Sequence, residues 1–460
     1  MNKAIAPSFR DPSGFLFTRA GTLYRQVNLS YKSHYDSLMT NGLYDKLTSE
    51  QMLIAHQEIP PDASVPAPAY RIIKPEFLPF ISYPYEWCFS QLKDAALLTL
   101  TVQKTALQYG MSLKDASAYN IQFRKGRPIL IDTLSFEKHS PLHPWVAYRQ
   151  FCQHFLAPLA LMSYVDIRLS QLLKIHLDGL PLDLAAALLP LRARLNPGIF
   201  LHLCLHAQAQ KRWAGKSTHN ASAQNFSLNY FYGLVESLET LIRKLRFSPA
   251  KSLWGDYYAE KESYVSPALA HKQEVVAAFL DEIKPRTIWD LGANTGLFSR
   301  LAAAKNIEVI AFDIDYLCVE RNYLSLVKDK ETRILPLVLD LSNPTPAIGW
   351  ENEERANIID RGPADLAVAL ALIHHLAITH NLGFDKIAHF LGRTARHLVI
   401  EFVPKDDPMV QKLLAAREDI FSDYTLEAFE RAFSVFFKIR QTVKIKDSRR
   451  ILYLMEKINA

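Results

Sequence analysis

The sequence predicts an α/β protein in two parts: a doubly wound, Rossmann-like parallel sheet in residues 251–460, preceded by an α+β domain in residues 1–250. Three observations lead to this prediction. The stretch Thr287–Asp315 has the pattern strand, glycine-rich turn, helix and strand, which is a βαβ unit. Strand and helix patterns continue to alternate as far as residue 456. The first half instead combines hairpins with long apolar helices, which is typical of an α+β domain.

Composition sets the broad class of the protein. A chain of 460 residues with 49% hydrophobic and 22% charged residues is ordinary for a globular protein of two or three domains. No apolar run reaches the roughly 18 residues that a membrane span needs, so we expect none. The start of the chain lacks the apolar segment of a signal peptide. The four cysteines, at 88, 152, 204 and 318, form no CxxC pair, which favours a reducing, cytoplasmic setting.

Charge is distributed unevenly along the chain. Residues 251–460 hold 27 Lys and Arg against 30 Asp and Glu, a net charge of −3, so residues 1–250 hold 26 against 17, a net charge of +9. A basic half can indicate an anionic partner. An ordinary solvated surface explains the charge equally well, because no run of basic residues stands out.

The glycine turn carries the clearest chemistry. Asp290 ends the first strand, and Gly292-Ala293-Asn294-Thr295-Gly296 follows, where glycine permits positive φ angles. The helix after the turn offers unpaired backbone N–H groups to a ligand. Asp313 ends the second strand, where a carboxylate could accept hydrogen bonds from both hydroxyls of a ribose.

This pattern resembles motif I of the class I S-adenosylmethionine (SAM) methyltransferases, since a dinucleotide site would show G-x-G-x-x-G instead. The resemblance implies that the turn, with Asp290, Gly292, Ala293, Asn294 and Gly296, packs on the methionine part of SAM and that Asp313 holds the ribose. Asp340, which ends a third strand, would then meet the adenine amino group, with Leu341 beside it in the cofactor site.

The residues after the fourth strand bear on the reaction. Enzymes that methylate nucleobase nitrogens carry [DN]-P-P-[YFW] there, whereas this chain has Ala371-Leu-Ile-His374-His375-Leu. The only cysteine of this half, Cys318, lies on the wrong helix for a cytosine-C5 nucleophile, so a nucleic-acid substrate is disfavoured. A neutral His374 or His375 could take a proton from a hydroxyl acceptor, with Glu401 orienting it, and the rate would then fall below about pH 6.5. The alternative for one of the two histidines is packing at a helix start.

The first half contains a second pattern. Asp115 lies in a loop, Asn120 follows five residues later, and Asp132 comes directly after a predicted hairpin around Lys125-Gly126. This order resembles the catalytic and metal-binding loops of the protein kinase and aminoglycoside phosphotransferase superfamily, which implies a nucleotide and Mg²⁺ site and makes Mg-ATP a candidate ligand.

The departures from that superfamily are clear. Leu113-Lys114-Asp115 replaces His-Arg-Asp, no glycine-rich loop precedes it, and Arg25 and Lys74 are the nearest substitutes for the nucleotide-binding lysine. The alternative is a surface hairpin in which Asp and Asn cap turns. His202 and His206 are spaced for a metal on a helix, but their leucine-rich surroundings favour packing, so no metal site is assigned with certainty.

The segments Ile373–Leu376 (I-H-H-L) and Glu401–Asp406 (E-F-V-P-K-D) also resemble nodulation-type, SAM-dependent methyltransferases of bacteria. We therefore expect a bacterial cytoplasmic SAM-dependent methyltransferase with a small-molecule, glycan or other non-nucleobase acceptor. Two alternatives stay open: a bifunctional phosphotransferase–methyltransferase, and a regulator whose kinase-like half only binds nucleotide. The sequence leaves the acceptor and the oligomeric state undefined.

Overall fold

The computed structural model describes residues 3–5, 8–60, 69–208, 225–247, 267–415 and 418–458. The chain divides into two compact units, the first formed by Met1–Ser248 with Ile348–Arg355 and the second by Pro249–Ala347 with Ala356–Ala460. The domain boundary predicted near residue 250, and an aromatic stretch at residues 253–264 that could cover a cofactor, lie outside the described residues.

Segment 348–355 belongs to the first unit, although the residues on either side of it in the sequence belong to the second unit. Ile348 and Arg355 exchange backbone hydrogen bonds, which closes the segment into a short hairpin. Glu354 accepts hydrogen bonds from Arg10, and the Arg355 guanidinium lies 4.4 Å from the ring centre of Tyr119. These contacts explain why the segment groups with the first unit.

The first unit begins with an antiparallel sheet. Its strands are β1 (Lys3–Ala4), β2 (Gly14–Arg19), β3 (Thr22–Asn28), β4 (His56–Ile59) and β5 (Ala69–Pro75), in the spatial order β1-β2-β3-β5-β4. Helices α1 (Lys32–Thr40) and α2 (Leu43–Ser49) connect β3 to β4.

Local sequence explains the start of this sheet. Ala20 and Gly21 both have positive φ, 48° and 76°, which is the backbone of the tight hairpin turn that matches strand twist. The predicted hairpin over Gly14–Val27 is therefore confirmed. Gly42, with φ of 89°, separates α1 from α2.

The rest of the first unit is mainly helical and encloses two short antiparallel pairs. The pairs are β6 (Met111–Leu113) with β9 (Phe136–Lys138) and β7 (Ile121–Arg124) with β8 (Arg127–Leu130). The α-helices are α3 (Phe89–Gln108), α4 (Tyr148–Phe151), α5 (Ala157–Tyr164), α6 (Leu172–Ile175), α7 (Leu182–Leu188), α8 (Leu191–Arg194), α9 (Pro197–Ile199) and α10 (Leu228–Lys244). Short 3₁₀ or π turns occupy Leu29–Tyr31, Pro84–Glu86, Ala118–Asn120, Thr133–Ser135, Cys152–Leu156, Ile167–Gln171 and Phe200–Leu205. The hairpin predicted around Lys125-Gly126 is thus β7–β8.

The second unit is built on one sheet. Its strands are β10 (Thr287–Leu291), β11 (Glu308–Asp313), β12 (Ile334–Val338), β13 (Ala364–Ala369), β14 (Ala395–Phe402), β15 (Phe437–Lys444) and β16 (Ile451–Lys457). The spatial order is β12-β11-β10-β13-β14-β16-β15. The first five of these are parallel, and β16 runs antiparallel to β14 and to β15. This is the doubly wound sheet that the sequence predicted, and it ends in an antiparallel pair.

Helices flank the sheet of the second unit. They are α11 (Pro267–Ile283), α12 (Leu297–Ala303), α13 (Tyr316–Asp329), α14 (Phe384–Thr394), α15 (Pro408–Leu414) and α16 (Leu426–Phe433), with a single turn at His375–Thr379. The turn at Trp350–Asn352 lies in the segment that groups with the first unit. The core joins apolar residues of the strands to those of α11 and α12, among them Val276, Phe279, Ile288, Leu366 and Val399.

The strand order determines where a ligand can bind. The chain leaves β10 toward β11 on one side of the sheet and later returns to β13 on the other, so the strand order reverses beside β10. Ligands of doubly wound sheets bind at such a point, beyond the carboxyl ends of the strands. The glycine turn starts there.

Candidate functional site

The glycine turn is fixed by its own backbone. The N–H groups of Gly292 and Ala293 both donate to the carbonyl oxygen of Phe312, at 2.9 Å each, which ties the turn to the end of β11. Gly292, Asn294 and Gly296 have φ angles of 79°, 50° and 85°. The left-handed region favours glycine and tolerates asparagine, so this composition is what the backbone requires.

Asp313 lies beside this turn at the end of β11. Its Oδ2 accepts the N–H of Asn294 at 2.7 Å, and its Oδ1 accepts the N–H of Asp315 at 2.8 Å. Burial raises the pKa of Asp313 to about 6, against the opposing effect of these backbone donors. The N–H of Ile314 is a further backbone donor to this carboxylate. A carboxylate has about four lone-pair sites, so the donors among the described residues leave capacity for a ligand hydroxyl.

Gly296 is needed for a reason that the sequence did not reveal. A Cβ atom there would lie 2.7 Å from the side-chain amide of Asn322 and 2.8 Å from Nη1 of Arg300, in addition to the strain of its positive φ. A Cβ atom on Gly292 would make only an ordinary contact with Leu372, at 3.5 Å. Packing inside the unit therefore accounts for Gly296, whereas at Gly292 the φ angle is the constraint.

Asp290 was predicted to contact the cofactor, and in the structure its carboxylate is hydrogen-bonded to a side chain of the neighbouring helix. The residue is buried, and its Oδ2 accepts the hydroxyl hydrogen of Ser299 at 2.6 Å. Burial raises the pKa of Asp290 to about 6. This hydrogen bond joins the end of β10 to helix α12, so Asp290 fixes the helix that follows the turn.

Asp340 and Leu341 follow β12 at the same edge of the sheet as Asp313. The N–H of Leu339 donates to the carbonyl oxygen of Asp313 at 2.9 Å, which keeps the two strand ends side by side. The Asp340 carboxylate accepts the N–H and the hydroxyl of Ser342, at 2.8 and 2.6 Å. Asp340 and Leu341 are both partly exposed, so they are accessible to a ligand at this edge.

A buried ion pair lies at the ends of the fourth and fifth parallel strands. Glu401 on β14 is 0% exposed, and its Oε2 lies 2.5 Å from Nζ of Lys272 on α11, which is itself 8% exposed. The same oxygen accepts the N–H of Ala371 at 2.7 Å. Ala371 has a φ of 50°, which is strained for a residue with a Cβ atom. Glu401 therefore holds Ala371, the second residue after β13, in this conformation.

Arg450 and Asp407 extend this buried pair. Nη1 of Arg450 lies 3.7 Å from Oε1 of Glu401, and Nε of Arg450 lies 2.8 Å from Oδ2 of Asp407. We call Lys272, Glu401, Arg450 and Asp407 the charge network. It contains two cations and two carboxylates, so its formal charges cancel.

The histidine prediction needs correction. Among the residues that the structure describes, neither the Nδ1 atom of His374 nor the Oε1 atom of Glu401 has a hydrogen-bond partner, and the hydrogen bonds of Glu401 come from Lys272 and Ala371. Glu401 therefore does not orient His374 by a hydrogen bond to Nδ1. Glu401 instead pairs with a cation, because a fully buried carboxylate without one is costly.

The surroundings of His374 argue against the titration that was expected near pH 6.5. His374 is 2% exposed, and burial, with smaller effects from the neighbouring His375 and Arg450, lowers its pKa to about 3. Burial also lowers the pKa of His375. Both imidazoles are neutral at pH 7, as the base hypothesis required, but His374 is a much weaker proton acceptor than a free histidine.

In the first unit the structure brings Asp115, Asn120 and Asp132 together. Asp115 accepts a hydrogen bond from the Asn120 side chain, and burial and the charge of Asp132 raise its pKa. The Asn120 amide also lies 3.2 Å from the Ser135 hydroxyl, which is 3.0 Å from Oδ2 of Asp132. The carboxylates of Asp115 and Asp132 also cap turns, by accepting the N–H groups of Ser117 and Leu134. The three side chains thus lie together, as the phosphotransferase resemblance implied, and the two carboxylates also cap turns, as the alternative interpretation proposed.

His202 and His206 contact aromatic and hydroxyl groups. His202 is hydrogen-bonded to Tyr148 and Ser237, at 2.8 and 2.9 Å, and the His206 ring stacks on Tyr148. Within the described ranges, no three His, Cys, Asp or Glu residues are placed to hold a metal ion. The same ranges hold no helix with the length and apolarity that a bilayer crossing requires.

One curated protein resembles the chain over nearly its whole length. Nodulation protein NoeA of Rhizobium meliloti (strain 1021) is 34% identical over 459 residues, which cover 98% of this chain and 96% of NoeA. The chain belongs to the NoeA family. This agrees with the expected resemblance to nodulation-type proteins. No family model matches the chain.

Solved structures show weaker likeness to this member of the NoeA family. WbdD, described elsewhere as a bifunctional kinase–methyltransferase, shares 16% identity at a TM-score of 0.32, and the match covers 47% of this chain and 46% of that one. A TehB-like SAM-dependent methyltransferase from Corynebacterium glutamicum shares 17% identity at a TM-score of 0.28, covering 44% of this chain and 98% of that one. The chain thus spans about half of the WbdD chain. These scores are too low to support a conclusion about this chain.

Lys272 and Ala371 are the residues of this site that sequence reasoning missed. Lys272 lies 129 positions before Glu401, and nothing in the helix pattern of α11 distinguishes it from a surface lysine. Glu401 could have indicated the pair from the sequence, because a carboxylate within the apolar strand β14 requires a partner.

The charge network generates a stability prediction. Lys272→Met should lower the free energy of unfolding of the second unit by about 3 kcal/mol or more, because Glu401 would remain buried without its closest cation. The double variant Lys272→Met/Glu401→Gln should recover part of this loss, since an amide oxygen can still accept the N–H of Ala371. Urea unfolding monitored by hydrogen exchange in β14 measures both.

The matched control is Lys305→Met. Lys305 pairs with the exposed Asp281, also at 2.5 Å, and this variant should cost no more than about 1 kcal/mol. Equal losses in Lys272→Met and Lys305→Met would contradict a buried, structure-determining role for the Lys272–Glu401 pair.

Proposed function

We propose that the second unit is a SAM-dependent methyltransferase that acts on a small-molecule, glycan or other non-nucleobase acceptor. The observation that carries the proposal is Asp313, a half-buried carboxylate beside the glycine turn at the point where strand order reverses. Its backbone donors leave acceptor capacity on the carboxylate, which suits the hydroxyls of a ribose.

The remaining residues of this edge fit the other parts of SAM. The turn Gly292–Gly296 would lie against the methionine part, and the partly exposed Asp340 and Leu341 would lie beside the adenine. When bound, SAM supplies the electrophilic methyl group. The chain's own residues hold the nucleoside at Asp313 and fix the backbone after β13 through Glu401.

We propose that His374 and His375 adjoin the acceptor. Because His374 is a weak proton acceptor, its neutral imidazole is better suited to hydrogen-bond and orient the acceptor than to remove a full proton. Glu401 would then serve the reaction through Ala371, whose N–H it fixes. This arrangement favours an acceptor that loses its proton readily or is already ionised.

Features of the second unit disfavour a nucleobase acceptor. The segment after β13 lacks the [DN]-P-P-[YFW] pattern of nucleobase N-methylation. Cys318 is buried on α13, and burial raises the pKa of its thiol, so it is poorly suited to be a nucleophile. The four cysteines are free and buried, which suits the proposed cytoplasmic location.

A second candidate function belongs to the first unit. Its antiparallel sheet, with α1 and α2 between β3 and β4, and the joined side chains of Asp115, Asn120 and Asp132 support a kinase-like unit. We propose that it binds a nucleotide or the acceptor. A bifunctional phosphotransferase–methyltransferase would additionally require metal-dependent transfer of phosphate from ATP.

Substitution of Asp313 tests the cofactor site. Asp313→Asn should weaken SAM binding at least about tenfold, because two charge-assisted hydrogen bonds to the ribose are lost or weakened. Titration calorimetry with SAM measures the effect. Asp329→Asn, an exposed acid at the end of α13, is the control and should bind SAM as the unsubstituted protein does. Unchanged affinity in a folded Asp313→Asn protein would overturn the assignment.

SAM binding should also depend on pH. The pKa of Asp313 is raised to about 6, so the carboxylate is deprotonated at pH 7.5 and largely protonated at pH 5. Affinity for SAM should therefore fall as pH decreases through about 6, and Asp313→Asn should remove most of this dependence. Calorimetry at several pH values checks it. A steep dependence that persists in Asp313→Asn would assign the titration to another group, such as Asp290.

The pH profile of methyl transfer tests the role of His374. With methyl-labelled SAM and a cell extract as the source of acceptor, single-turnover transfer at saturating SAM should show no step from His374 protonation between pH 5 and 8, because its pKa is about 3. His374→Gln, which keeps a neutral hydrogen-bonding side chain, should retain more activity than His374→Ala. A step near pH 6.5 that His374→Gln abolishes would restore the general-base hypothesis.

A further inference from the structure

Arg25 occupies a central position in the first unit. It lies on β3, and its residue is 9% exposed. Nη2 lies 2.5 Å from Oδ2 of Asp11, and Nη1 lies 2.8 Å from Oδ1 of Asp132. One permanently charged group thus bridges two carboxylates that are far apart in sequence.

The carboxylate of Asp132 has protein donors on both oxygens. Oδ1 accepts the N–H of Leu134 at 2.8 Å as well as Nη1 of Arg25, and Oδ2 accepts the hydroxyl of Ser135 at 3.0 Å. A magnesium ion requires oxygen ligands at about 2.0–2.1 Å in octahedral geometry. The Arg25 guanidinium, 2.8 Å from Oδ1, places a positive charge beside this carboxylate and repels a divalent cation, and an ion on Oδ2 would have to bind beside the Ser135 hydroxyl.

Asp115 and Asn120 are also engaged within the protein. Asp115 accepts hydrogen bonds from the N–H of Ser117 and from the side chains of Asn120 and Gln150, and the Asn120 amide lies 3.2 Å from the Ser135 hydroxyl. Asn120 and Asp132, which the phosphotransferase resemblance assigns to Mg²⁺, therefore do not fit the ion as they are arranged here. Asp115, which the resemblance places against the phosphoryl acceptor, is engaged as well.

We propose that Arg25 takes the place of the divalent cation in the first unit, so that this unit is a metal-independent binding unit and does not transfer phosphate. The guanidinium neutralises Asp11 and Asp132 permanently, whereas a metal would do so only when bound. A phosphate-bearing or other ligand of this unit would then be bound by side chains without Mg²⁺. This inference is independent of the proposed methyl transfer.

Manganese binding tests the proposal, since Mn²⁺ substitutes for Mg²⁺ at oxygen sites and can be followed by paramagnetic resonance. The unsubstituted protein should have no Mn²⁺ site that depends on Asp132, so Asp132→Asn should leave its Mn²⁺ binding unchanged. Arg25→Ala should gain a Mn²⁺ site that binds at least about tenfold more tightly than any site of the unsubstituted protein, because the carboxylates of Asp11 and Asp132 lose their cation. Arg25→Ala/Asp132→Asn should lose that site again, and Arg127→Ala, at an exposed arginine of β8, should resemble the unsubstituted protein.

A charge-balanced variant provides the same test if Arg25→Ala fails to fold. Arg25→Met/Asp11→Asn removes one charge of each sign and leaves Asp132 free, so it should also gain Mn²⁺ binding. Tight Mn²⁺ binding by the unsubstituted chain that depends on Asp132 would overturn the proposal, as would Mg²⁺-dependent turnover of ATP that Asp132→Asn abolishes. A folded charge-balanced variant that gains no Mn²⁺ site would also overturn it, since Arg25 would then not be what excludes the ion.

Discussion

A carboxylate that is fully buried needs a partner, and in the second unit this requirement connects parts of the chain that are distant in sequence. Glu401 accepts Nζ of Lys272 from the helix before the first strand and the N–H of Ala371 from the loop after β13. Arg450, from the segment before β16, lies near its other oxygen. The backbone that leads into His374 and His375 therefore depends on a pair whose loss would leave a charge in the core.

The acids of this protein divide into two groups according to their donors. Glu401 and Asp132 are paired with cations and hold elements together. Among the described residues, Asp313 receives backbone N–H groups, and Asp340 receives a backbone N–H and a serine hydroxyl. Asp313 and Asp340 are also partly exposed at the carboxyl edge of the sheet, whereas Asp290, whose donor Ser299 is likewise neutral, is buried within the fold. In the second unit, neutral donors together with this exposure distinguish candidate ligand-binding acids from structural ones.

Sequence reasoning succeeded where the signal is local. The turn Gly292–Gly296, the acids at strand ends and the hairpin at Ala20-Gly21 follow from backbone preferences over a few residues, and the structure reproduces them. It failed where burial or a distant partner decides. The pKa of His374 depends on the packing around it, and the partner of Glu401 lies 129 residues away. In the first unit the order of Asp115, Asn120 and Asp132 along the chain predicted that they lie close together. Only the structure shows that Arg25 forms an ion pair with Asp132.

The most direct test of this account is a crystal structure of the full chain with S-adenosylhomocysteine, the product that SAM leaves after methyl transfer. If Asp313 binds the cofactor, both ribose hydroxyls will lie within hydrogen-bond distance of its carboxylate, with the amino-acid end against Gly292–Gly296. A ligand bound elsewhere, with Asp313 retaining its backbone contacts alone, would contradict this assignment.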